Sequence, residues 1–175
     1  LLVVNKPRGI VCTTSDKDRA PNVVDLIQYP ARVYPVGRLD KDSEGLLLMT
    51  NQGELANEIM HAGNFHEKEY LVTVDQPFNA AFLKKMREGV ELKELGVTTR
   101  PCKVEAAGVK TFRIILTQGL NRQIRRMCRQ VGLNVLRLQR VREHTLSLGH
   151  LKPGKWRYLT EAEIRTLKRS LHYEP

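Results

Sequence analysis

The sequence of 175 residues has few cysteines and no long hydrophobic run. Its three cysteines, Cys12, Cys102 and Cys128, are an odd number without a CxxC pair, which argues against a disulfide scaffold or a structural zinc site. This content is typical of the reducing cytoplasm, where we expect the protein to be found. No apolar stretch approaches the ~18 residues of a membrane span, and the opening run 1–4 is too short for a signal sequence.

Sequence motifs for nucleotide phosphates and metal ions are also missing. Neither a GxGxxG nor a GxxxxGK[ST] loop occurs, so a nucleotide cofactor has no local support. The carboxylates of Asp40, Asp42 and Glu44 are spaced as in a calcium loop. The twelfth loop position would however be Asn51 instead of a glutamate, and residues 46–49 are apolar. The spacing therefore does not predict a calcium site.

The charge balance is strongly basic. There are 29 lysines and arginines against 19 acidic residues, which gives a net charge of +10, and 41% of the residues are hydrophobic. The hydrophobic fraction is sufficient for a packed core. The surplus of positive charge favours a polyanionic partner, and RNA, DNA and an anionic membrane all remain open on this ground.

Short strand patterns and helix patterns alternate without a regular βαβ rhythm. This arrangement predicts an α+β fold with a mixed, mainly antiparallel central sheet and flanking helices. Period-two patterns and apolar runs predict strands over residues 1–5, 46–50, 69–75, 102–106, 111–117, 134–141, 144–148 and 156–159. Helical periodicity and capping residues predict helices over residues 51–61, 79–89 and 121–131, and a last helix that begins at the capping box Thr160/Glu163. Residues 13–22 are polar and predict a loop.

The predicted helix over residues 121–131 has the strongest amphipathic pattern. At about 100° per residue, four apolar residues share one stripe: Ile124, Met127, Cys128 and Val131. Four arginines share the opposite face: Arg122, Arg125, Arg126 and Arg129. Guanidinium groups pair with phosphate and stack on bases, so this face is a candidate for binding a nucleic acid. The alternative is an ordinary solvated amphipathic helix.

The glycine-flanked acidic turn over residues 37–45 allows two interpretations. Such a turn before a buried strand is a common surface feature, and the spacing alone favours this reading. A carboxylate held beside a basic residue such as Arg38 or Arg125 would instead stay ionised and oriented. A nucleophile or a general base requires that state.

Three segments resemble the signature motifs of RNA pseudouridine synthases, in the same order and at similar spacing. They are residues 37–40, the Lys-Glu-Tyr of residues 68–70, and residues 119–127. The sequence Asn-Arg-Gln-Ile-Arg-Arg-Met of residues 121–127 indicates the RsuA/RluB/RluE/RluF family. Residues 62–75 look most like the ribosomal large subunit synthase F type. The resemblance extends to residues 5–9 and 135–142, and so spans nearly the whole chain.

This resemblance implies an activity and roles for particular residues. The activity is isomerisation of uridine to pseudouridine in ribosomal RNA, with 23S rRNA as the expected substrate and without cofactor or metal. Asp40 matches the essential aspartate, which attacks C1′ or removes a sugar proton. Tyr70 matches the tyrosine that stacks on the target base and is a candidate to assist proton loss from C5, and Arg125 matches the basic partner of the aspartate. Leu138 matches a leucine that packs beneath the site. Arg38 matches a residue that fills the stack vacated by the base.

Elementary chemistry agrees with these implied roles. A base cannot be detached, turned and rejoined through carbon while it is stacked in a helix, so the nucleotide has to be flipped into a pocket. Flipping costs a few kcal/mol, and stacking on an aromatic ring returns about 1–3 kcal/mol. We expect Arg122, Arg126 and Arg129 to follow RNA phosphates while Arg125 points toward Asp40.

The resemblance also sets the expected organisation. We expect residues 1–175 to form one catalytic domain, either as a single unit or as two lobes flanking an RNA cleft, and to act as a monomer. Relatives often carry an N-terminal S4-type RNA-binding module. This sequence has none, and we expect that module to belong upstream of residue 1. Two rival readings remain open: a non-catalytic rRNA-binding or ribosome-assembly module, and a metal-dependent nuclease using Asp40 and Asp42.

Overall fold

The computed structural model describes residues 1–13, 21–61 and 66–172. Most of the polar loop predicted over residues 13–22, and residues 62–65 of the segment that resembles the F type, lie outside this described part. The strands are β1 (Leu2–Lys6), β2 (Tyr34–Val36), β3 (Glu44–Thr50), β4 (Lys68–Val74), β5 (Glu91–Leu92), β6 (Val97–Thr98), β7 (Lys103–Ala106), β8 (Thr111–Leu116), β9 (Val135–Glu143), β10 (Leu146–Ser147) and β11 (Trp156–Tyr158). The helices are α1 (Val23–Ile27), α2 (Gly53–His61), α3 (Ala80–Glu88), α4 (Gln123–Gln130) and α5 (Glu161–His172).

One mixed sheet organises the described residues. Its strand order is β11-β1-β3-β9-β4-β8-β7, with β2 paired to β3 and β10 paired to β9. The β3–β9 pair is parallel, and the other pairs of this sheet are antiparallel. This topology confirms the predicted α+β class with a mainly antiparallel sheet. Within the described ranges, no helix is both long and apolar enough to cross a bilayer.

The parallel β3–β9 pair joins the two halves of the sheet and depends on a glycine. Gly45 is paired with Arg140 and has a φ of +108°, in the region that side chains rarely adopt. A Cβ at Gly45 would lie 2.1 Å from the backbone oxygen of Arg140. The glycine after the acidic turn is therefore needed for the two strands to approach each other.

Helix α4 packs its predicted apolar stripe into the core between β4, β8 and β9. Met127, Cys128 and Ile124 are buried there. They belong to the same hydrophobic cluster as Val72 of β4 and Leu138 of β9. The caps predicted for α3 and α5 are also confirmed. The backbone N–H of Phe82 donates to Asn79 Oδ1, and the side chains and backbone N–H groups of Thr160 and Glu163 form the reciprocal capping box that begins α5.

Three short elements were not predicted: α1, β2 and the β5–β6 hairpin. Helix α1 has five residues and begins where Asn22 Oδ1 accepts a hydrogen bond from the backbone N–H of Asp25. A helix of one turn is too short to show a 3.6-residue period, and strands of two or three residues are too short to show alternation. These elements depend on their tertiary contacts.

Candidate active site

A cleft of about 520 Å³ opens between the acidic turn before β3, strands β4 and β9, and the loop that leads into α4. Five of the predicted site residues line it: Arg38, Asp40, Tyr70, Arg122 and Leu138. These residues come from four separate segments of the sequence, and the sheet topology brings them together. The other three predicted residues, Arg125, Arg126 and Arg129, do not line this cleft.

The turn that carries Asp40 is held from below by buried groups. The backbone N–H of Ser43 donates to the Asp40 carbonyl at 3.0 Å, which closes the turn. Lys6 is fully buried beneath it, and its Nζ donates to the Pro7 carbonyl at 3.0 Å and to the Lys41 carbonyl at 3.4 Å. Burial lowers the pKa of Lys6, while nearby carboxylates raise it in part. The hydrogen bond from Lys6 to the Lys41 carbonyl thus links β1 to the turn.

The Asp40 carboxylate faces the cleft and pairs with Arg122. The Asp40 side chain is 42% exposed, and its Oδ2 lies 3.4 Å from Nη1 of Arg122. Arg122 also donates two hydrogen bonds to Asp42, at 3.0 and 2.8 Å. The bond to Asp42 raises the pKa of Arg122 and lowers the pKa of Asp42, so both groups stay charged and fixed in position at neutral pH.

The expected ion pair between Arg125 and Asp40 is not what the structure shows. Arg125 is buried, and its Nη2 donates to the backbone carbonyl of Asp42 at 2.8 Å, with its Nε 3.5 Å from Asp42 Oδ2. Among the described residues, the guanidinium within 4 Å of Asp40 is that of Arg122. Arg122 precedes the first residue of α4 and has a left-handed φ of 50°. The helical face pattern that grouped it with the other arginines therefore does not apply to it.

Tyr70 lies on β4, opposite Arg140 on β9. Burial raises the pKa of Tyr70, and a hydrogen bond with Arg140 opposes this in part. The hydroxyl therefore remains protonated at neutral pH, which favours a role in stacking over direct removal of a proton. Leu138 lies two residues before Arg140, is 7% exposed and forms an apolar wall of the cleft.

Arg140 is a cleft residue that the sequence reasoning missed. It is 3% exposed, and its Nε donates to the Leu46 carbonyl at 2.8 Å, while its Nη2 lies 3.3 Å from Glu143 Oε2. Lys68 was also missed as a site residue, although it belongs to a quoted motif segment. The available signal was the position of two cations in or beside segments predicted as strands: Arg140 lies within residues 134–141, and Lys68 directly precedes residues 69–75.

The predicted RNA-binding arginines differ in their surroundings. Arg126 pairs with Glu94 in the β5–β6 turn, and its Nε donates to the Asn121 carbonyl at 2.9 Å. Arg129 lies 3.9 Å from Glu94 and its side chain is 61% exposed. The exposed face of α4 therefore carries fewer uncompensated charges than its sequence indicates, and Arg129 is the more accessible of these two.

A second groove adjoins the cleft on the other side of Asp40 and Arg122. It also includes Arg8 and Lys41, so cations continue along the surface past the acidic turn. Such a path suits the backbone of a polynucleotide. Within residues 1–13, 21–61 and 66–172, no three histidine, cysteine or acidic side chains cluster to hold a metal ion. The nuclease reading therefore has no set of three such ligands among these residues.

Sequence and structure comparisons identify the class of protein. The sequence model described as RNA pseudouridylate synthase matches residues 1–130, and the chain belongs to this family. It is 51% identical over 164 residues to the dual-specificity RNA pseudouridine synthase RluF of Escherichia coli strain K12, over 94% of this chain and 56% of that protein. The chain thus spans about half the length of the first curated relatives that it matches.

Two further matches support this assignment. The ribosomal large subunit pseudouridine synthase B of Bacillus subtilis is 35% identical over 170 residues, covering 93% of this chain and 69% of that protein. A crystal structure of a pseudouridylate synthase superposes with a TM-score of 0.86 at 31% identity, over 95% of this chain and 72% of that one. The family and the fold implied by the motifs are thereby confirmed. The roles of the individual site residues remain predictions.

Proposed function

We propose that this chain isomerises uridine to pseudouridine in ribosomal RNA, with 23S rRNA as its substrate. The observation that carries this proposal is the single cleft in which Asp40, Tyr70 and Leu138 meet, in a chain that belongs to the RNA pseudouridylate synthase family. The name of the Bacillus subtilis relative, a ribosomal large subunit synthase, supports ribosomal RNA as the substrate class.

The first step is entry of the target nucleoside. The uridine leaves the RNA stack and its base packs between the ring of Tyr70 and the apolar wall at Leu138. Stacking on Tyr70 contributes about 1–3 kcal/mol, which offsets part of the few kcal/mol that unstacking the nucleotide costs. Neighbouring phosphates meet the cations of the adjoining groove, Arg8 and Lys41. The cleft volume of about 520 Å³ is sufficient for one nucleoside.

The second step is exchange of the bond at C1′. Asp40 is the one carboxylate that lines the cleft among the described residues, and it attacks C1′ or removes a proton from the sugar as the N1–C1′ bond breaks. The detached uracil turns, C5 bonds to C1′, C5 loses its hydrogen as a proton, and N1 gains one. Substrate and product are isomers, so the step needs neither an oxidant nor a second substrate. Confinement beside C1′ favours rejoining over escape.

Arg122 sets the geometry of this carboxylate. Its two hydrogen bonds to Asp42 fix the guanidinium, which in turn holds Asp40 Oδ2 at 3.4 Å. Arg125 supports the same turn through the Asp42 carbonyl. Arg122 is therefore proposed as the orienting cation at Asp40, with Arg125 supporting the turn.

Release of tritium tests the proposed activity. A 23S rRNA transcript labelled with tritium at C5 of uridine is incubated with the protein, and release of label into water is measured. The Asp40→Asn variant is the matched control. Catalytic release by the unaltered protein alone is expected. RNA binding without release would instead support the non-catalytic module, and strand scission that EDTA stops would support the nuclease.

We further propose a cytoplasmic, monomeric protein that uses no cofactor. The support for this location is the set of free cysteines, Cys12, Cys102 and Cys128. Burial raises the pKa of Cys102 to about 11 and of Cys128 to about 12, which keeps both as unreactive thiols. Sedimentation of the purified chain alone and with the transcript tests the monomeric state.

A further inference from the structure

Lys68 is a cation in the cleft without a partner in the described part of the protein. It lies on β4 two residues before Tyr70, and both residues line the cleft. Within the described residues, its Nζ makes no hydrogen bond and no ion pair within 4 Å. The nearby carboxylate of Glu143 is bound to Arg140, and burial lowers the pKa of Lys68. An ammonium group in this position favours an acceptor supplied by the ligand.

The strand register places Lys68 and Asp40 on opposite sides of Tyr70. Tyr70 is level with Arg140 on β9, and Arg140 is level with Gly45 on β3. Because β3 runs antiparallel to β4, the acidic turn before β3 lies toward Val72, the later residues of β4. Lys68 lies in the other direction, where a Cβ on Gly119 would meet its Nζ at 3.7 Å. A flat ligand stacked on Tyr70 therefore has one edge at Asp40 and the other at Lys68.

The chemistry of uracil identifies the group at the far edge. Within the proposed function, the sugar and the glycosidic N1 lie at Asp40. The ring atom diametrically opposite N1 is C4, which carries the carbonyl oxygen O4. In cytosine the same position carries an amino group, which is a donor and cannot accept a hydrogen bond from an ammonium.

We infer that Lys68 binds the uracil carbonyl opposite the glycosidic bond and selects uridine over cytidine. This inference rests on the proposed function. It also accounts for the product, because once C5 is joined to C1′ the atom opposite the bond is C2, which carries O2. The same ammonium therefore finds a carbonyl oxygen before and after the base turns, which helps to retain the detached uracil in the cleft.

Thio-substituted RNA tests this contact directly. The probe is an oligoribonucleotide that contains the uridine mapped by the tritium experiment, with uridine, 4-thiouridine or 2-thiouridine at that position. Affinities are measured by fluorescence anisotropy in the Asp40→Asn background, so that no turnover occurs. Sulfur is a weak hydrogen-bond acceptor, so with Lys68 present we expect 4-thiouridine to weaken binding by about tenfold and 2-thiouridine to have a much smaller effect.

Substitution of the lysine completes the experiment. Lys68→Met is expected to weaken binding of the uridine RNA and to abolish the difference between uridine and 4-thiouridine. The control Lys110→Met, at an exposed position outside the cleft, should retain that difference. Equal sensitivity to 4-thiouridine with and without Lys68 would overturn the inference. If Lys68→Met does not fold, the protein that retains Lys68 still tests the inference. Equal affinity of that protein for the 4-thiouridine and 2-thiouridine RNAs would also overturn the inference.

Different results would contradict the proposed function and the proposed role of Lys68. Absence of tritium release from the uridine RNA contradicts the proposed function. Release of tritium without a specific penalty for 4-thiouridine contradicts only the role of Lys68.

Discussion

The guanidinium of Arg122 and the carboxylate of Asp42 are joined by two hydrogen bonds of 3.0 and 2.8 Å across 80 residues of sequence. The same guanidinium lies 3.4 Å from Asp40. One arginine thus connects a carboxylate that lines the cleft to a second carboxylate that lies outside the cleft and holds the arginine in place. This division between a reacting and a supporting acid leads to separate expectations for the two aspartates.

Asp40→Asn should abolish turnover and leave RNA affinity within about twofold, because the substitution keeps the shape of the side chain but removes the charge that acts at C1′. Tritium release and filter binding measure the two quantities. Glu105→Gln, an exposed acid on β7, is the control and should retain full activity. A parallel loss of binding in Asp40→Asn would contradict its catalytic assignment.

Asp42→Asn should lower kcat by about tenfold to a hundredfold while KM changes little, because Arg122 loses its charged partner and Asp40 loses its fixed orientation. Asp42→Glu, which restores the charge at a longer reach, should recover part of the activity. Steady-state tritium release gives both constants. If kcat of Asp42→Asn equals that of the unaltered protein, Arg122 does not depend on this pair.

Arg129→Ala should weaken RNA binding and reduce the slope of log affinity against log salt by about one, because one phosphate contact is lost. Glu94→Gln should strengthen binding, since this carboxylate competes with phosphate for Arg126 and Arg129. Titrations between low and moderate salt provide the slopes. The control is Lys84→Ala, which removes an exposed cation on α3. An identical change in affinity and salt slope for this control would show that the cations of α4 have no special role in RNA binding.

Gly45→Ala should destabilise the protein by about 3 kcal/mol or more, since the new methyl group meets the backbone of Arg140 and the residue has a positive φ. Gly96→Ala is the matched control, because Gly96 has a φ of +66° but open space around it. This control should cost about 1 kcal/mol. Urea unfolding measures both. Equal losses would show that close approach of β3 and β9 contributes nothing.

Glu163→Gln should lower stability at pH 7 by about 1–2 kcal/mol, because Glu163 caps α5 and accepts two hydrogen bonds from Arg157. These bonds lower the pKa of Glu163 from its ordinary 4.5 to about 2. The stabilisation is therefore complete above pH 4.5 and is lost as the pH falls toward 2. Urea unfolding at several pH values should show the gap closing in that window, whereas Glu161→Gln, exposed in the same turn, should show little gap at any pH.

Local patterns were sufficient for much of the fold. The apolar stripe of α4, the alternation in β4 and β8, and the caps at Asn79 and Thr160 each depend on residues within one or two turns of each other. Such features follow from local geometry and appear in the structure where the sequence places them. Helix α1 and the β5–β6 hairpin were missed because they are too short to display a period.

The sequence predicted which residues belong to the candidate site better than it predicted the contacts between them. The motif segments indicated Asp40, Tyr70 and Leu138, and the structure brings them into one cleft. The face pattern of α4 placed Arg125 on the exposed side, and the resemblance to the family implied that it pairs with Asp40. Burial against the acidic turn places it at Asp42 instead.

Composition, neighbouring residues and short motifs were sufficient to predict the secondary structure of the main elements, the basic surplus and the resemblance to a family. The tertiary structure decided that Arg122 holds Asp40, and that Lys68 lies across Tyr70 from it. Both relationships depend on strand register and on side chains that reach between segments distant in the chain. Local periodicity contains no information about such distances, since they are fixed only when the sheet closes and the core packs.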